Sequence, residues 1–160
     1  MNVQEKYQRL EDTVRSYNPG ANFDLIRSAF HYAEEHHRGQ NRKDGSPFVT
    51  HPLAVAQIVA EELHLDSESI AAALLHDTIE DTDATHEDIA RTFSPTIADI
   101  VEGVSKLTRV QAASKAEEQM ENLRKMLLAM SKDIRVILIK MADRLHNMRT
   151  MEYQLSLIHI

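Results

Sequence analysis

Residues Ser67 to Asp81 read SESIAAALLHDTIED, and this stretch decides the fold. Asp66 or Ser67 can cap a helix at its start, and the middle of the stretch is apolar on nearly every helical face. A helix that is apolar all round is buried on all sides. We therefore predict one helix from Ser67 to Asp81 at the centre of the fold, with the polar pair His76-Asp77 towards its end.

The rest of the chain reads as further helices separated by short polar breaks, because apolar residues recur at helical spacing. Thr50, the pair Thr85 and Asp88, and Ser94-Pro95 resemble helix start signals. The other predicted helices cover 4–17, 22–38, 51–64, 86–93, 96–107, 117–130 and 133–151. The polar segment 109–116 is predicted to be mobile, and no strand pattern stands out. The predicted fold class is all-α, an orthogonal helical bundle of about seven or eight helices.

Composition excludes several classes of protein. The 160 residues suffice for one domain, and 42% apolar with 27% charged residues is typical of a globular protein. Without cysteine, neither a disulfide nor a thiolate metal site can form. A net charge of -7 disfavours nucleic-acid binding, although a local basic pocket could take a small phosphorylated ligand. No membrane-spanning run and no signal-peptide core are apparent, so we expect a cytoplasmic protein without membrane association.

The pair His76-Asp77 is expensive to bury in an apolar helix unless something compensates. A structural hydrogen bond is one compensation, and a metal ion bound by imidazole and carboxylate is another. Glu80 and Asp81 follow four residues later, one helical turn further along the same side. They are either a solvated helix end or an acid/base pair beside a metal site.

Two distant residues complete a possible ligand set. His51 opens a helix, and Asp143 lies inside the last helix, where aspartate has a poor propensity. An ordinary histidine at a helix start, and an ion pair of Asp143 with Lys140 or Arg144, are the alternative interpretations. Taken with the His-Asp pair, the two residues make a nitrogen and oxygen set that suits manganese, iron or zinc.

Such a set leaves positions open for water and substrate. A bound divalent ion lowers the pKa of water and polarises a phosphoryl oxygen. Glu80 or Asp81 could then take a proton from the water or supply one to the leaving group. The residues therefore suit metal-dependent hydrolysis of a phosphoryl group, while the structural alternatives above stay open.

Four long strings resemble the hydrolase domain of the RelA/SpoT homologue family, within the wider HD superfamily. They are HRGQNRKDGSPFVTHPLAVAQIVAEE, IAAALLHDTIEDTDAT, VEGVSKLT and ENLRKMLLAMSKDIRVILIKMADRLHNMRTM, and the resemblance extends from about Phe23 to Met151. It implies an HD-type helical bundle and a manganese-dependent pyrophosphohydrolase of the stringent response. The implied reaction removes the 3′-diphosphate of guanosine tetraphosphate or pentaphosphate, and the products are GDP or GTP and pyrophosphate.

The resemblance also implies roles for residues at matching positions. The implied manganese ligands are His51, His76, Asp77 and Asp143. The implied acidic pair that activates or orders the attacking water is Glu80 and Asp81. The residues implied to bind the nucleotide are Arg42 and Lys43 in the loop before the first ligand, and Asn147 and Thr150 in the last motif.

The chain departs from its relatives at Asp44, where many have serine, and at Phe48-Val49, where they often have Tyr-Ile. An extra acid beside a polyphosphate is unfavourable unless it points away. Family domains continue beyond HNMRT, so we expect residues 1–151 to be a hydrolase domain truncated on its C-terminal side. Residues 152–160 are expected to be a non-matching tail that is foreign or the start of a truncated helix. Truncation raises the alternative of a non-catalytic module that binds metal or nucleotide. A second alternative is an HD phosphohydrolase of another nucleotide, against which the Arg42-Lys43 loop and the HNMRT motif speak. The sequence leaves the oligomeric state open.

Overall fold

The computed structural model describes residues 1–111, 124 and 133–158, with side chains for 1–107, 124 and 133–151. Within these ranges the chain forms eight helices, and the one β-type feature is a single bridge between Asn41 and Pro47. The predicted all-helical bundle is confirmed. The helices are α1 (Val3–Tyr17), α2 (Phe23–His36), α3 (Thr50–Leu63), α4 (Ser67–Leu75), α5 (Thr78–Asp81), α6 (His86–Thr92), α7 (Pro95–Gln111) and α8 (Ile134–Ile158).

Helix α4 is the centre of the bundle, as predicted. Every residue from Ile70 to Leu75 is fully buried. The helix packs against α2, α3 and α7, and it also contacts α8. Because neighbours surround it on all sides, its end is shielded from water, and polar residues placed there need partners.

The prediction of one helix from Ser67 to Asp81 is wrong, because the helix breaks at His76 and Asp77. At the break Nδ1 of His76 lies 2.7 Å from the carbonyl oxygen of Ala73, and the Thr78 hydroxyl donates to the carbonyl of Leu75 at 2.7 Å. These side chains compete with backbone N–H groups for the last carbonyls of α4. The His-Asp pair therefore occupies a turn between two helices.

Most other predicted helix starts are confirmed. Thr85 and Asp88 form a reciprocal capping box at α6. The Ser94 hydroxyl accepts the backbone N–H of the third residue after it at the start of α7. Thr50 does not cap α3: it is the first residue of that helix, and its hydroxyl donates to the carbonyl of Pro47.

Helix α8 packs against α3 and α7 and continues to Ile158, beyond its predicted end at Met151. The residues predicted to form a separate tail are thus helical as far as 158, while the predicted domain boundary stays a prediction. Of the predicted helix 117–130 only residue 124 is described, and it is helical. Residues 109–111 of the predicted mobile segment belong to α7, and residues 112–116 lie outside the described residues. None of the described helices combines the length and hydropathy that a membrane crossing requires.

Candidate metal centre

Three parts of the bundle deliver the four predicted ligands to one place. His51 lies in the first turn of α3, His76 and Asp77 lie in the turn after α4, and Asp143 lies on α8. Helix α3 packs against both α4 and α8. This packing brings together side chains that are far apart in the chain.

The four side chains face one another over short distances. Nε2 of His51 is 2.6 Å from Oδ1 of Asp143 and 3.7 Å from Oδ2 of Asp77. Nε2 of His76 is 3.2 Å from Oδ2 of Asp77 and 3.4 Å from Oδ1 of Asp143. His51, His76 and Asp77 can each offer one ligand atom within 4.8 Å of the others. The arrangement can therefore surround a single ion.

The His76 ring fits a metal ligand in particular. Its Nδ1 is paired with the Ala73 carbonyl, so this nitrogen carries the hydrogen of the neutral ring. Its Nε2 is buried, and among the described residues no group meets it at hydrogen-bonding angles, although two carboxylate oxygens are near. An imidazole fixed through one nitrogen, with the lone pair of the other free, is typical of metal-binding histidines. The donor set therefore fits a divalent ion.

The two oxygens of Asp143 have different partners. Oδ2 accepts from the buried Lys140 ammonium at 2.7 Å, and Oδ1 faces the imidazoles of His51 and His76. The amide of Asn147 also lies 3.4 Å from Oδ1. The ion pair with Lys140 and the ligand geometry coexist, because they use different oxygens of one carboxylate.

Charge in this space favours a cation. Burial opposes protonation of His76, but the negative charges of Asp77 and Asp143 outweigh it and raise the pKa of His76 well above its usual value. Without an ion, Nε2 of His76 therefore holds a proton, and a bound cation would replace that proton and take the lone pair. Burial likewise opposes ionisation of Asp143, yet His51, His76 and Lys140 hold its pKa far below the usual range. Burial also opposes ionisation of Asp77, but His76 and His51 lower its pKa. Both carboxylates of the centre therefore keep their negative charge and attract positive charge into the space between the ligands.

The predicted acidic pair lies beside this centre, and other elements hold it there. The Ser105 hydroxyl of α7 donates to Oε1 of Glu80 at 2.9 Å. The side-chain amide of Gln40 donates to the main-chain carbonyl of Asp81 at 2.8 Å. Partial desolvation and the charges of Asp77 and Glu80 raise the pKa of Asp81 to about 6. A carboxyl group with such a pKa can exchange protons near neutral pH.

The predicted nucleotide-binding residues lie on two elements, the loop after α2 and helix α8. Burial lowers the pKa of His146 on α8, and the charges of His51 and Arg42 lower it further. Lys43 is exposed on the same loop. On α8, Asn147 is exposed, and the Thr150 hydroxyl donates to the main-chain carbonyls of Asn147 at 3.0 Å and His146 at 3.2 Å.

The acid at Asp44 is used inside its own loop. Oδ1 of Asp44 accepts the backbone N–H of Ser46 at 2.9 Å and its hydroxyl at 2.6 Å, and these bonds lower the pKa of Asp44. Gly45 between them has a φ of +88°, which disfavours other residues. The backbone N–H of Arg42 closes the turn on the Ser46 carbonyl at 2.8 Å. The carboxylate of Asp44 therefore stabilises the turn that carries Arg42.

Two contacts at the centre were not predicted. Nδ1 of His146 lies 2.8 Å from Nδ1 of His51, and the hydroxyl of Ser105 holds Glu80. Both residues stand inside the strings HNMRT and VEGVSKLT, which carry the family resemblance. Nothing in their spacing or charge marks them, because each acts through a partner that is distant in the chain.

The chain matches a known family of protein domains. A model of the HD domain family matches residues 29–157, which include every residue of the candidate centre. A family of this kind implies a divalent metal, and the cluster of His51, His76 and Asp77 could bind one. The fold and the site together therefore define an HD domain.

Individual relatives refine that class. The chain is 51% identical to GTP pyrophosphokinase rsh of Brucella melitensis biotype 1 over 142 residues, which are 89% of this chain and 19% of that protein. It is 50% identical to bifunctional (p)ppGpp synthase/hydrolase SpoT of Escherichia coli K12 over 145 residues, 91% of this chain and 20% of that protein. The chain thus spans about a fifth of the length of these bacterial relatives.

A solved structure with a similar fold is described as a metazoan ortholog of SpoT that hydrolyzes ppGpp and plays a role in starvation responses. Its TM-score is 0.61 at 31% identity, and the alignment covers 81% of this chain and 71% of that one. The chain therefore belongs to the RelA/SpoT homologue family of HD domain proteins.

Proposed function

We propose that this chain is a manganese-dependent pyrophosphohydrolase that removes the 3′-diphosphate of guanosine tetraphosphate or pentaphosphate. The observation that carries the proposal is the buried convergence of two imidazoles and two carboxylates, in which Nε2 of His76 lacks a hydrogen-bond partner among the described residues. The bacterial relative is named a (p)ppGpp synthase/hydrolase, and the structural neighbour is said to hydrolyze ppGpp. These descriptions support the same activity for this chain.

The residues that would hold the ion are His51, His76, Asp77 and Asp143. Imidazole and carboxylate ligands together suit an ion of intermediate hardness, and manganese is the one that we propose. When bound, such an ion lowers the pKa of water and polarises a phosphoryl oxygen. Lys140 holds Oδ2 of Asp143, which leaves Oδ1 directed at the centre.

Glu80 and Asp81 are proposed to handle protons in the reaction. Water adds across the bond between the ribose 3′-oxygen and the diphosphate, so one proton must leave the water and one must reach the 3′-oxygen. Ser105 holds Oε1 of Glu80 by a hydrogen bond, which orients this carboxylate beside the centre. Asp81, with a pKa of about 6, can accept or release a proton near neutral pH.

The nucleotide is proposed to lie between the loop that follows α2 and the exposed face of α8. Arg42 and Lys43 supply positive charge for the phosphates, although the whole chain carries a net charge of -7. Asn147 and Thr150 line the other side. A local basic patch in an acidic chain suits a small anionic ligand better than a nucleic acid. We also propose a cytoplasmic location.

The central experiment incubates the purified chain with Mn²⁺ and guanosine tetraphosphate and measures GDP and pyrophosphate. We expect both products in equal amounts, and none after chelation of the metal. Asp77→Ala and Asp143→Ala are expected to lose the metal and therefore the activity. Glu80→Gln is expected to keep the metal but lose about 10²–10⁴-fold in turnover, the range for removal of a general acid or base.

Two comparisons separate the proposal from its alternatives. GTP lacks a 3′-diphosphate, so release of phosphate or pyrophosphate from GTP at a similar rate would indicate a phosphohydrolase of another nucleotide. Metal binding without any product from guanosine tetraphosphate would indicate a binding module. His31→Asn is a matched control, because His31 is exposed on α2 and pairs only loosely with Glu34 at 3.8 Å.

A further inference from the structure

We propose that His146 is a positioning residue that fixes the ring of His51 for metal binding. Nδ1 of His146 lies 2.8 Å from Nδ1 of His51, and the two rings are 5.0 Å apart between centroids. The opposite nitrogen of His51, Nε2, faces Asp143 and Asp77. His146 therefore acts on the centre through His51, and this inference rests on the metal centre proposed above.

The position of the hydrogen on the His51 ring determines whether His146 donates or accepts. Two imidazole nitrogens at hydrogen-bonding distance share one hydrogen, so one donates and the other accepts. A neutral imidazole that gives the lone pair of Nε2 to an ion carries its hydrogen on Nδ1. Nδ1 of His146 must then accept that hydrogen. When Nε2 of His51 instead carries the hydrogen and donates to Asp143, Nδ1 of His51 accepts and Nδ1 of His146 donates. Each ring nitrogen of a neutral imidazole can be either donor or acceptor, so the pair persists in both cases.

The two metal-binding histidines thus differ in how they are held. His76 is held through its Nδ1 by the main-chain carbonyl of Ala73, which no side-chain substitution removes. His51 is held by a side chain from α8, the same helix that supplies Asp143. One helix therefore contributes a ligand and also orients a second ligand on α3. Removal of a group that orients a ligand typically weakens metal affinity by about 10–100-fold.

The test compares variants that keep or remove the hydrogen-bonding group near the position of Nδ1. His146→Phe keeps a planar ring without nitrogen, and His146→Asn keeps an amide whose oxygen or nitrogen can reach the Nδ1 position. The readout is Mn²⁺ affinity, measured by calorimetry and by electron paramagnetic resonance of free Mn²⁺ in the absence of nucleotide. We expect about 10–100-fold weaker binding for the Phe variant. The Asn variant should stay within about threefold of the parent, and His31→Asn should match the parent.

Thermal unfolding without metal establishes that each variant is folded. If the Phe variant does not fold, His146→Gln replaces it. The amide of glutamine lies one bond beyond the Nδ1 position, so this variant should also bind Mn²⁺ more weakly than the parent. Parental affinity in the Phe or Gln variant would overturn the inference, and so would an Asn variant as weak as the Phe variant. A parent chain that binds no Mn²⁺ would instead overturn the metal centre itself, and the role of His146 with it.

Discussion

Gly103 on α7 lies against Val136 at the start of α8, and Gly103→Ala tests how closely these two helices must pack. A Cβ at this position would lie 2.8 Å from Cγ2 and 3.1 Å from Cγ1 of Val136. Rotation about χ1 cannot relieve both contacts, because valine is branched at Cβ and is stiff at χ1 in a helix. Val136 is only 4% exposed, so it has no room to withdraw.

The expected magnitude is a difference between two effects. Overpacking in a buried contact costs about 1–3 kcal/mol. Replacement of glycine by alanine inside a helix raises the free energy of unfolding by about 1 kcal/mol, because alanine has the higher helix propensity. We therefore expect Gly103→Ala to lower the free energy of unfolding by about 1 kcal/mol, and at most by about 2. For a chain of this size, 1 kcal/mol corresponds to a Tm decrease of about 2–4 °C.

A double-mutant cycle, followed by thermal and denaturant unfolding of the metal-free protein, separates the two effects. In a Val136→Ala background the clashing methyl groups are absent, so Gly103→Ala should become neutral or stabilise by up to about 1 kcal/mol. The coupling between the two positions should then be about 1–3 kcal/mol. Equal destabilisation by Gly103→Ala in both backgrounds would refute the reasoning from the Val136 contact.

Three further predictions concern the centre. Saturation with Mn²⁺ at about 100 times Kd should stabilise the fold by about 2.7 kcal/mol, and Asp77→Ala should abolish the accompanying rise in Tm. Ser105→Ala should leave Mn²⁺ affinity unchanged and lower turnover, because Glu80 loses its donor, whereas Ser105→Thr should restore turnover. Burial and neighbouring charges lower the pKa of His146 from 6.5 to about 4. Between these two pH values the unfolded chain binds more protons than the folded chain. The free energy of unfolding therefore falls as the pH drops from about 6.5 to about 4. In metal-free protein, His146→Asn should make this acid-induced decrease in the free energy of unfolding smaller by at most about 3 kcal/mol. Denaturant titrations that show the same decrease in parent and variant would contradict the contribution of His146.

The sequence by itself determined the helical class, the buried central segment and most helix starts. Apolar residues at helical spacing and the capping box of Thr85 and Asp88 act over a few residues, so they can be read from one stretch of chain. The family resemblance added which His and Asp residues to consider together. Their convergence was predicted by residue type and motif, and the packing of α3 against α4 and α8 brings them within bonding distance.

The break between α4 and α5 and the partners of the centre were decided only by the tertiary structure. His76 and Thr78 turn to the last carbonyls of α4, and this competition ends a helix that apolar periodicity alone would continue. The pairs His51 with His146 and Ser105 with Glu80 join residues from separate helices. Such contacts depend on how whole helices pack in three dimensions, whereas the pattern of a sequence records mainly the interactions within each helix.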